Sequence, residues 1–577
     1  MYNESWQRLQ KMTPLLGSYD KTLYSTWDIS YAQVELRNET SIMLLRLWAY
    51  FDHQDPWFEL LKECQLTGPP WFQKMTEDIL EFNEAVRILC DYGLVEPGTS
   101  SSEVSTESHG YSIHSCVHAW TIHVLNEVKD NDLARLAIAC VSSKVPTKSE
   151  RGYWVLQRRL IRHGAYCSTL LTSGISVAEG EESALQKLGD LFSDQGRLDE
   201  AEVMYNLALQ GKERILGPDH SSTLDTVDRL GVVYWNMGRL NEAEAMYDRA
   251  LRGREKVLRP DHIQTLTTVH HLAVLYRNQG QLNKAEVMYG RALQGKMKVL
   301  GPDHVSTLHT INNLGVLYWN QGRLGEAEAM YRSALQGREK ALEPDHPSTL
   351  DTVNNLGMLY RDHGRLNEAE DMYDRALEGK RKALEPNHAS ILNTINNLGN
   401  LYKDQGRFIK AQEMYDFALR NRAKTLGPNH TSTLDTINDL GVFYKEQGRL
   451  GKAEAMYDRA LQSREKTLGS NHISTLETVN KLANLYMAQG RLDEAEAMYD
   501  RAMRGHEKAL EYKQVNTNIP ALDNIEDLAK LYVQQHKLPQ AIALYKRHHA
   551  SFEAVFGVEH VRYQRITREI ESLGREG

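Results

Sequence analysis

The sequence predicts an all-α protein: a right-handed α-solenoid of helical hairpins, preceded by a smaller helical domain. Three observations predict it. A glycine followed by a short run, mostly Arg, Leu and acid, recurs at Gly196, Gly238, Gly280, Gly322, Gly364, Gly406, Gly448 and Gly490, in steps of 42 residues. A histidine, usually preceded by Pro and then Asp or Asn, keeps the same step at His220, His262, His304, His346, His388, His430 and His472. The apolar residues between these markers fall at helical spacing. Eight units without one insertion imply stacked copies, because a lone hairpin cannot bury its apolar face.

With 577 residues, 41% of them hydrophobic and 25% charged, the chain is too long for one core and too apolar for disorder. The net charge is -9, with Lys/Arg and Asp/Glu interspersed, which argues against a nucleic-acid partner. Apolar runs such as Ile42 to Tyr50 contain an Arg and fall far short of the roughly 20 residues of a membrane helix. The first thirty residues lack the basic start, apolar stretch and cleavage site of a signal peptide. These features predict a cytoplasmic protein with no membrane partner. The cysteines Cys64, Cys90, Cys116, Cys140 and Cys167 lack zinc spacing and read as buried, reduced thiols.

Residues 1–130 carry no repeat, but Ile42 to Phe51, Asp78 to Asp91 and Cys116 to Val128 each read as helices. Gly98 to His109, rich in Ser, Thr and Glu, reads as a loop. Helix, polar loop and helix in this order predict a small winged-helix-like domain, followed by a helical linker over 131–178. With the strings STWDISYAQV, LLRLWAYFD and YSIHSCVHAW, this region resembles the last subdomain of NB-ARC-type signalling ATPases, whose fungal members often carry helical repeat arrays. In that family a Met-His-Asp motif sets a histidine against the nucleotide's terminal phosphate. The matching segment here is Ile113, His114 and Ser115, so the resemblance makes His114 a vestigial nucleotide-sensing residue. Gly-Lys occurs four times, before Glu213, Met297, Arg381 and Ala453, and never before Ser or Thr, so no phosphate loop can be built and no cofactor is expected.

Within the unit Thr307 to His346, Ile311, Leu314, Gly315 and Tyr318 recur at i, i+3, i+4 and i+7 and define one helix, ended by Gly322. Gly325 to Lys340 repeats Ala327, Tyr331 and Ala334 at helical spacing, and its small alanines allow close approach. This pattern resembles the tetratricopeptide repeat, here as eight units over 179–512. The 42-residue period resembles the long-helix variant found in kinesin light chains. The residues beyond the common repeat length extend the second helix, which Pro344 stops. Ser348 with Asp351, and Ser474 with Glu477, have the spacing of a capping box for the next helix. Over 513–577, Leu528, Tyr532, Ala541 and Tyr545 predict a degenerate ninth unit with His536 in the glycine position, and Val561 to Leu573 a capping helix.

No catalytic residues and no metal site emerge. Linker histidines in successive hairpins stand at least 8 to 10 Å apart, whereas metal ligands lie about 2 Å from one ion. Glu326 and Glu328 flank the inward Ala327 and read as a solvated face. The expected site is a groove on the first helices, where His309, Asn312, Val316 and Trp319 share a face. Asn312 recurs as Asn354, Asn396, Asn438 and Asn480, with Gln186, Asp228 and His270 at the earlier equivalents. An amide can both donate to and accept from a peptide unit, so this ladder suits an extended peptide. Farther along the helix come Trp235, Arg277, Trp319, Arg361, Lys403 and Lys445, with Asn236, Asn278 and Asn320 beside them; Asn400 and Asn484 complete the expected groove. Trp and Arg often dominate binding energy.

The expected function is a non-catalytic scaffold or sensor that binds a protein or extended peptide, as part of an NLR-like signalling system. Two alternatives stay open. One is a kinesin-light-chain-type cargo adaptor, and the other is the regulatory carboxy-terminal part of an NTPase whose catalytic domain lies upstream. Sequence sets neither the bound segment nor the oligomeric state.

Overall fold

The computed structural model describes residues 19–98, 108–126, 130–147, 153–173, 180–384, 386–509, 518–556, 558 and 561–576. It divides into two compact units, Met1–Leu216 and Gly217–Gly577.

In the first unit, helices Tyr19–Arg37, Glu39–Trp48, Pro70–Glu77 and Ile79–Asp91 lead to an antiparallel pair, β1 (Glu96–Pro97) and β2 (Tyr111–Ser112). Trp48, Phe51, Trp57, Phe72, Phe82 and Trp120 form its buried centre, with Trp48 stacked on Tyr111 at 6.0 Å between ring centroids. Arg159 fixes the approach to β2. Its guanidinium makes two 2.8 Å bonds to Asp55 and lies 3.9 Å from the Trp57 ring centroid. Most of the polar loop between the strands falls outside the described residues. The helix expected from Cys116 to Val128 is instead α-helical over Ser115–Trp120 and π-helical over Thr121–Leu125. Asn126 is held by Arg46, donating to its carbonyl at 3.1 Å and accepting from its Nε at 3.2 Å, and the Asn126 N–H reaches the Thr121 carbonyl five residues back. Helices Asn131–Ser143 and Tyr153–Thr172 then pack against the first 42-residue hairpin, Glu182–Asp194 and Leu198–Leu216, which belongs to this unit. Cys64, Cys140 and Cys167 are buried; Cys90 and Cys116 are half-buried.

The second unit stacks the remaining hairpins, beginning with Ser221–Asn236 and Leu240–Leu258 and ending with Ile519–Gln534 and Leu538–Phe556, capped by helix Val561–Glu576. Two recurring close approaches explain the small residues. A Cβ on Gly315 would sit 2.8 Å from the Tyr331 ring, and one on Gly337 would sit 2.3 Å from Leu308. The same applies to Gly295 against Leu266, so the glycine of this Gly-Lys pair is a packing residue. Between the helices Gly322 adopts φ +73°, and in the degenerate last hairpin His536 takes the equivalent left-handed conformation at φ +59°.

The start signal of each first helix differs from the capping box expected at Ser348 and Ser474. The cap is the linker histidine: His346 Nδ1 accepts from the Ser348 N–H at 3.2 Å and His472 Nδ1 from the Ser474 N–H at 3.1 Å, as do all seven linker histidines in their own hairpins. Asp351 is drawn away to Lys380 Nζ at 2.8 Å, so it cannot turn back to the helix start.

The arginine after Gly322, Gly364, Gly406 and Gly490 also joins hairpins. Arg323 lies 4.1 Å from the Tyr318 ring centroid and reaches Glu286 of the preceding hairpin at 3.0 Å; Arg365 repeats this with Tyr360 and Glu328. Glu328 is therefore a connector between hairpins, beyond the solvated role the sequence suggested.

Neighbouring first helices approach one another in addition to their own partners, which places them on the inner side of the stack. The stack also meets itself one turn later. His472 Nε2 bonds the Asn236 carbonyl at 3.3 Å, and Asn518 Nδ2 donates to the Asn278 carbonyl at 3.2 Å.

Candidate functional site

The inner wall is organised by a ladder of buried cations that the sequence reading missed. Arg254, Lys296, Arg338, Lys380, Arg422 and Arg464 recur every 42 residues on the second helices, each no more than 4% exposed. Each reaches forward to the next first helix. Arg338 Nη1 donates at 2.6 Å to both the Ser348 carbonyl and Thr352 Oγ1, and Lys296 Nζ donates to Thr310 Oγ1 at 3.1 Å. The signal was present in the strict period of the basic residue, but a lysine or arginine in a charged helix reads as solvated until its neighbours are known.

Most of these cations also have a partner 29 residues earlier, on the first helix of their own hairpin. Arg254 pairs with Asp225, Lys380 with Asp351 and Arg464 with Asp435, while Arg422 donates to Asn393. The partner position of Lys296 is Thr267 and that of Arg338 is His309. Burial alone pushes the Lys296 ammonium down to about 8. Burial likewise lowers Arg338, only partly opposed by Asp351.

The expected asparagine ladder is corrected in part. Asn312, Asn354, Asn396 and Asn438 are buried between neighbouring first helices, at 2–8% exposure. Asn355 donates to Asn312 at 3.2 Å, Asn397 to Asn354 at 3.3 Å, Asn396 to Asp439 at 2.7 Å and Asn438 to Thr478 at 3.1 Å. Asn480 and Asn484 both donate to Asp527, and Asn400 and Asn484 accept from the hydroxyls of Tyr415 and Tyr499. Neighbouring first helices pack side by side and enclose this position, so its amides join repeats. Asp228 occupies the same position: burial works to raise its carboxyl, but His271 at 2.9 Å and Arg254 hold it below the usual range.

The basic residues toward the carboxy-terminal end are likewise engaged. Arg361 meets Asp362 at 2.9 Å and Asp404 at 3.5 Å, and Lys403 meets Glu446 at 3.0 Å. Burial lowers Lys445, with Asp527 and Glu446 opposing it. His114 caps the short helix Ser115–Trp120, its Nδ1 accepting from the Cys116 N–H at 3.3 Å, and its side chain is exposed.

What the fold does bring together is the other end of the set. Trp235, Asn236, Arg277, Asn278 and Asn320 line one cavity of about 510 Å³, closed on its far side by His472, Ile473, Glu477 and Ile519 of the following turn. Trp319 lies outside it, half-buried against the core around Tyr331 and Tyr360. Among the described residues no group of three or more His, Cys, Asp and Glu side chains is placed to hold a metal.

Regular hairpins, stitched laterally and open along an inner wall, define the class of helical-repeat interaction scaffolds. The tetratricopeptide repeat profile matches residues 181–256, 224–298, 264–340, 306–382, 389–466 and 435–508, more than half of the chain, and the chain belongs to that family. Repeats of this family are scaffolds for protein–protein interaction. No curated protein matches. Similar solved structures include BtubC (BKLC) from P. vanneervenii, with 25% identity over 40% of this chain and 92% of that one and a TM-score of 0.35. A Podosopora anserina putative kinesin light chain of nearly identical TPR-like repeats has 26% identity over 36% and 98%, with a TM-score of 0.30. A signal-transduction ATPase with a tetratricopeptide repeat sensor, from Pyrococcus horikoshii, has 15% identity over 94% of this chain and 66% of that one, with a TM-score of 0.37. Among the described residues no helix is long and apolar enough to cross a membrane.

Proposed function

We propose that this chain is a non-catalytic, cytoplasmic scaffold or sensor that holds a segment of a partner protein on the inner wall of its second to fifth hairpins, Ser221–Ala383. The observation that carries this reading is the cavity in which Trp235, Arg277, Asn278 and Asn320 converge. Trp235 offers an apolar face, Arg277 a charge and the amides both donors and acceptors, the combination that anchors a segment by a few strong contacts. Residues farther along the array are occupied by partners within the chain and contribute rigidity instead.

The first unit is read as a winged-helix-like remnant of an NB-ARC-type signalling protein. The paired strands β1 and β2, set between Ile79–Asp91 and Ser115–Trp120, support that order of elements. In this reading the array supplies the sensing surface of an NLR-like system.

The test is an affinity capture with the full chain, comparing the unaltered protein with Trp235→Ala/Asn320→Ala. Loss of at least tenfold in specifically retained partners, with an unchanged far-ultraviolet circular dichroism spectrum, is the expected result. Identical retention by a folded variant would remove the cavity from the binding surface.

A further inference from the structure

The third and fourth hairpins, Ile263–Leu300 and Val305–Leu342, are short of carboxylates where their neighbours have them. In the second, fifth and seventh hairpins the buried cation meets an aspartate from its own first helix, namely Asp225, Asp351 and Asp435. These aspartate side chains are 37%, 55% and 59% exposed, so the slot that holds them opens to solvent. In the third and fourth hairpins the slot is bordered by Thr267 and His309, and neither Lys296 nor Arg338 has a carboxylate within 4 Å among the described residues. The closest acid to act on Arg338 is Asp351, which is committed to Lys380 at 2.8 Å.

A second set of donors points the same way. The hydroxyls of Tyr289, Tyr331 and Tyr373, on the second helices of the third, fourth and fifth hairpins, are buried with no hydrogen-bond partner. The equivalent Tyr415 and Tyr499 donate at 2.7 Å to Asn400 and Asn484, one residue past the packing glycine or alanine; in the third to fifth hairpins that position is Val274, Val316 or Met358. His270 and His309 add imidazoles with ring centroids 5.0 Å apart, bridged by the Asn313 amide, which lies 3.1 Å and 3.2 Å from their Nε2 atoms. This stretch of wall therefore carries two cations and three tyrosine hydroxyls without the side-chain acceptors that Asp225, Asp435, Asn400 and Asn484 supply in other hairpins. A buried donor without an acceptor is destabilising, so an external acceptor would relieve what the sequence leaves unmet.

We infer that the third to fifth hairpins recognise an acidic segment of the partner protein, whose aspartate or glutamate carboxylates enter the slots beside Lys296 and Arg338 as Asp225 and Asp435 do in their own hairpins. This rests on the reading of the inner wall as the binding surface and names the chemistry it selects. The two slots are one hairpin apart, roughly the 10 Å of packed helices, which an extended segment spans in about three residues.

The test uses a fluorescein-labelled extended peptide with aspartates three residues apart, its asparagine analogue, and the full chain. The aspartate peptide is expected to bind at least tenfold more tightly, with an affinity that falls as salt rises. Filling the slots from within, by Thr267→Asp/His309→Asp, is expected to lower that affinity at least tenfold while leaving thermal stability equal or higher. His309→Asn, which copies the Asn393 arrangement beside Arg422, serves as a second variant and is expected to weaken binding while preserving the fold. Equal binding of the two peptides, or full binding by a folded Thr267→Asp/His309→Asp chain, would overturn the inference. A partner captured by that variant yet lost on Trp235→Ala/Asn320→Ala would refute the carboxylate assignment alone and leave the wall as the binding surface.

Discussion

Arg464→Ala is expected to loosen the junction between the seventh and eighth hairpins by about 1.5–3 kcal/mol, the range for losing hydrogen bonds from a charged donor. Arg464 is 2% exposed and joins three groups on two hairpins. Its Nη1 donates to the Ser474 carbonyl at 2.6 Å and to Thr478 Oγ1 at 2.7 Å, and its Nη2 meets Asp435. Removing the side chain leaves a void between helices and deprives the Ser474 carbonyl of a charged donor. Arg464→Lys is expected to cost far less, because Lys380 spans the same gap in the fifth hairpin, reaching Thr394 at 3.1 Å and Asp351 at 2.8 Å. In a stack held by nearest-neighbour interfaces the loss stays local. Hydrogen exchange should therefore accelerate in Leu450–Leu468 and Ile473–Ala488 and remain unchanged in Tyr153–Thr172. Uniform acceleration, or none, would contradict this account of the ladder.

Acid is expected to destabilise the first unit through two histidines. Burial pushes the imidazoles of His118 and His163 down to about 4, against an ordinary value of 6.5. For His163, Asp52, the Asp55 backbone and the Asp55 side chain oppose that push, while Arg159 adds to it. His118 Nε2 donates to the Phe51 carbonyl at 3.1 Å, and the His53 ring centroid lies 5.8 Å from its own. The unfolded chain thus binds more protons than the folded unit between pH 6.5 and 4. Stability is full above about pH 6.5, falls as pH drops through that window and levels off below 4, by roughly 3 kcal/mol for each histidine. Hydrogen exchange of Glu39–Trp48 and Tyr153–Thr172 at pH 7, 5.5 and 4.5, corrected for intrinsic rates, should report the loss. His163→Gln, which keeps a donor but does not titrate, should remove about half of the slope and leave the His118 share; an unaltered slope would show that other groups govern it.

The period carried most of the array's fold in plain view. A glycine or alanine that recurs every 42 residues with a tyrosine 16 residues on marks a close contact in each copy, as between Gly315 and Tyr331. The function of a polar residue was less legible, because helical spacing assigns a face without saying what lies opposite. Asn312 occupies the expected face and is buried there by the next hairpin. Arg338 belongs to a charged helix and is buried too, whereas Glu328 of the same helix bridges to Arg365. The histidine caps needed the linker geometry, which the Ser–x–x–acid spacing imitates. Trp235 and Arg277 were identifiable as unusual from composition, but their enclosure depends on the stack meeting itself through His472 and Asn518, more than 230 residues away, a contact no local pattern encodes.

The central claim is that the partner lies on the inner wall of the second to fifth hairpins. Site-specific photo-crosslinking measures this most directly, with a photoreactive residue placed at Asn320, which lines the cavity, and in a separate chain at Val287, which is 69% exposed on a second helix. The account predicts crosslinks to a partner from position 320 and none from position 287. Crosslinks to the same partner from position 287, with position 320 silent, would contradict it.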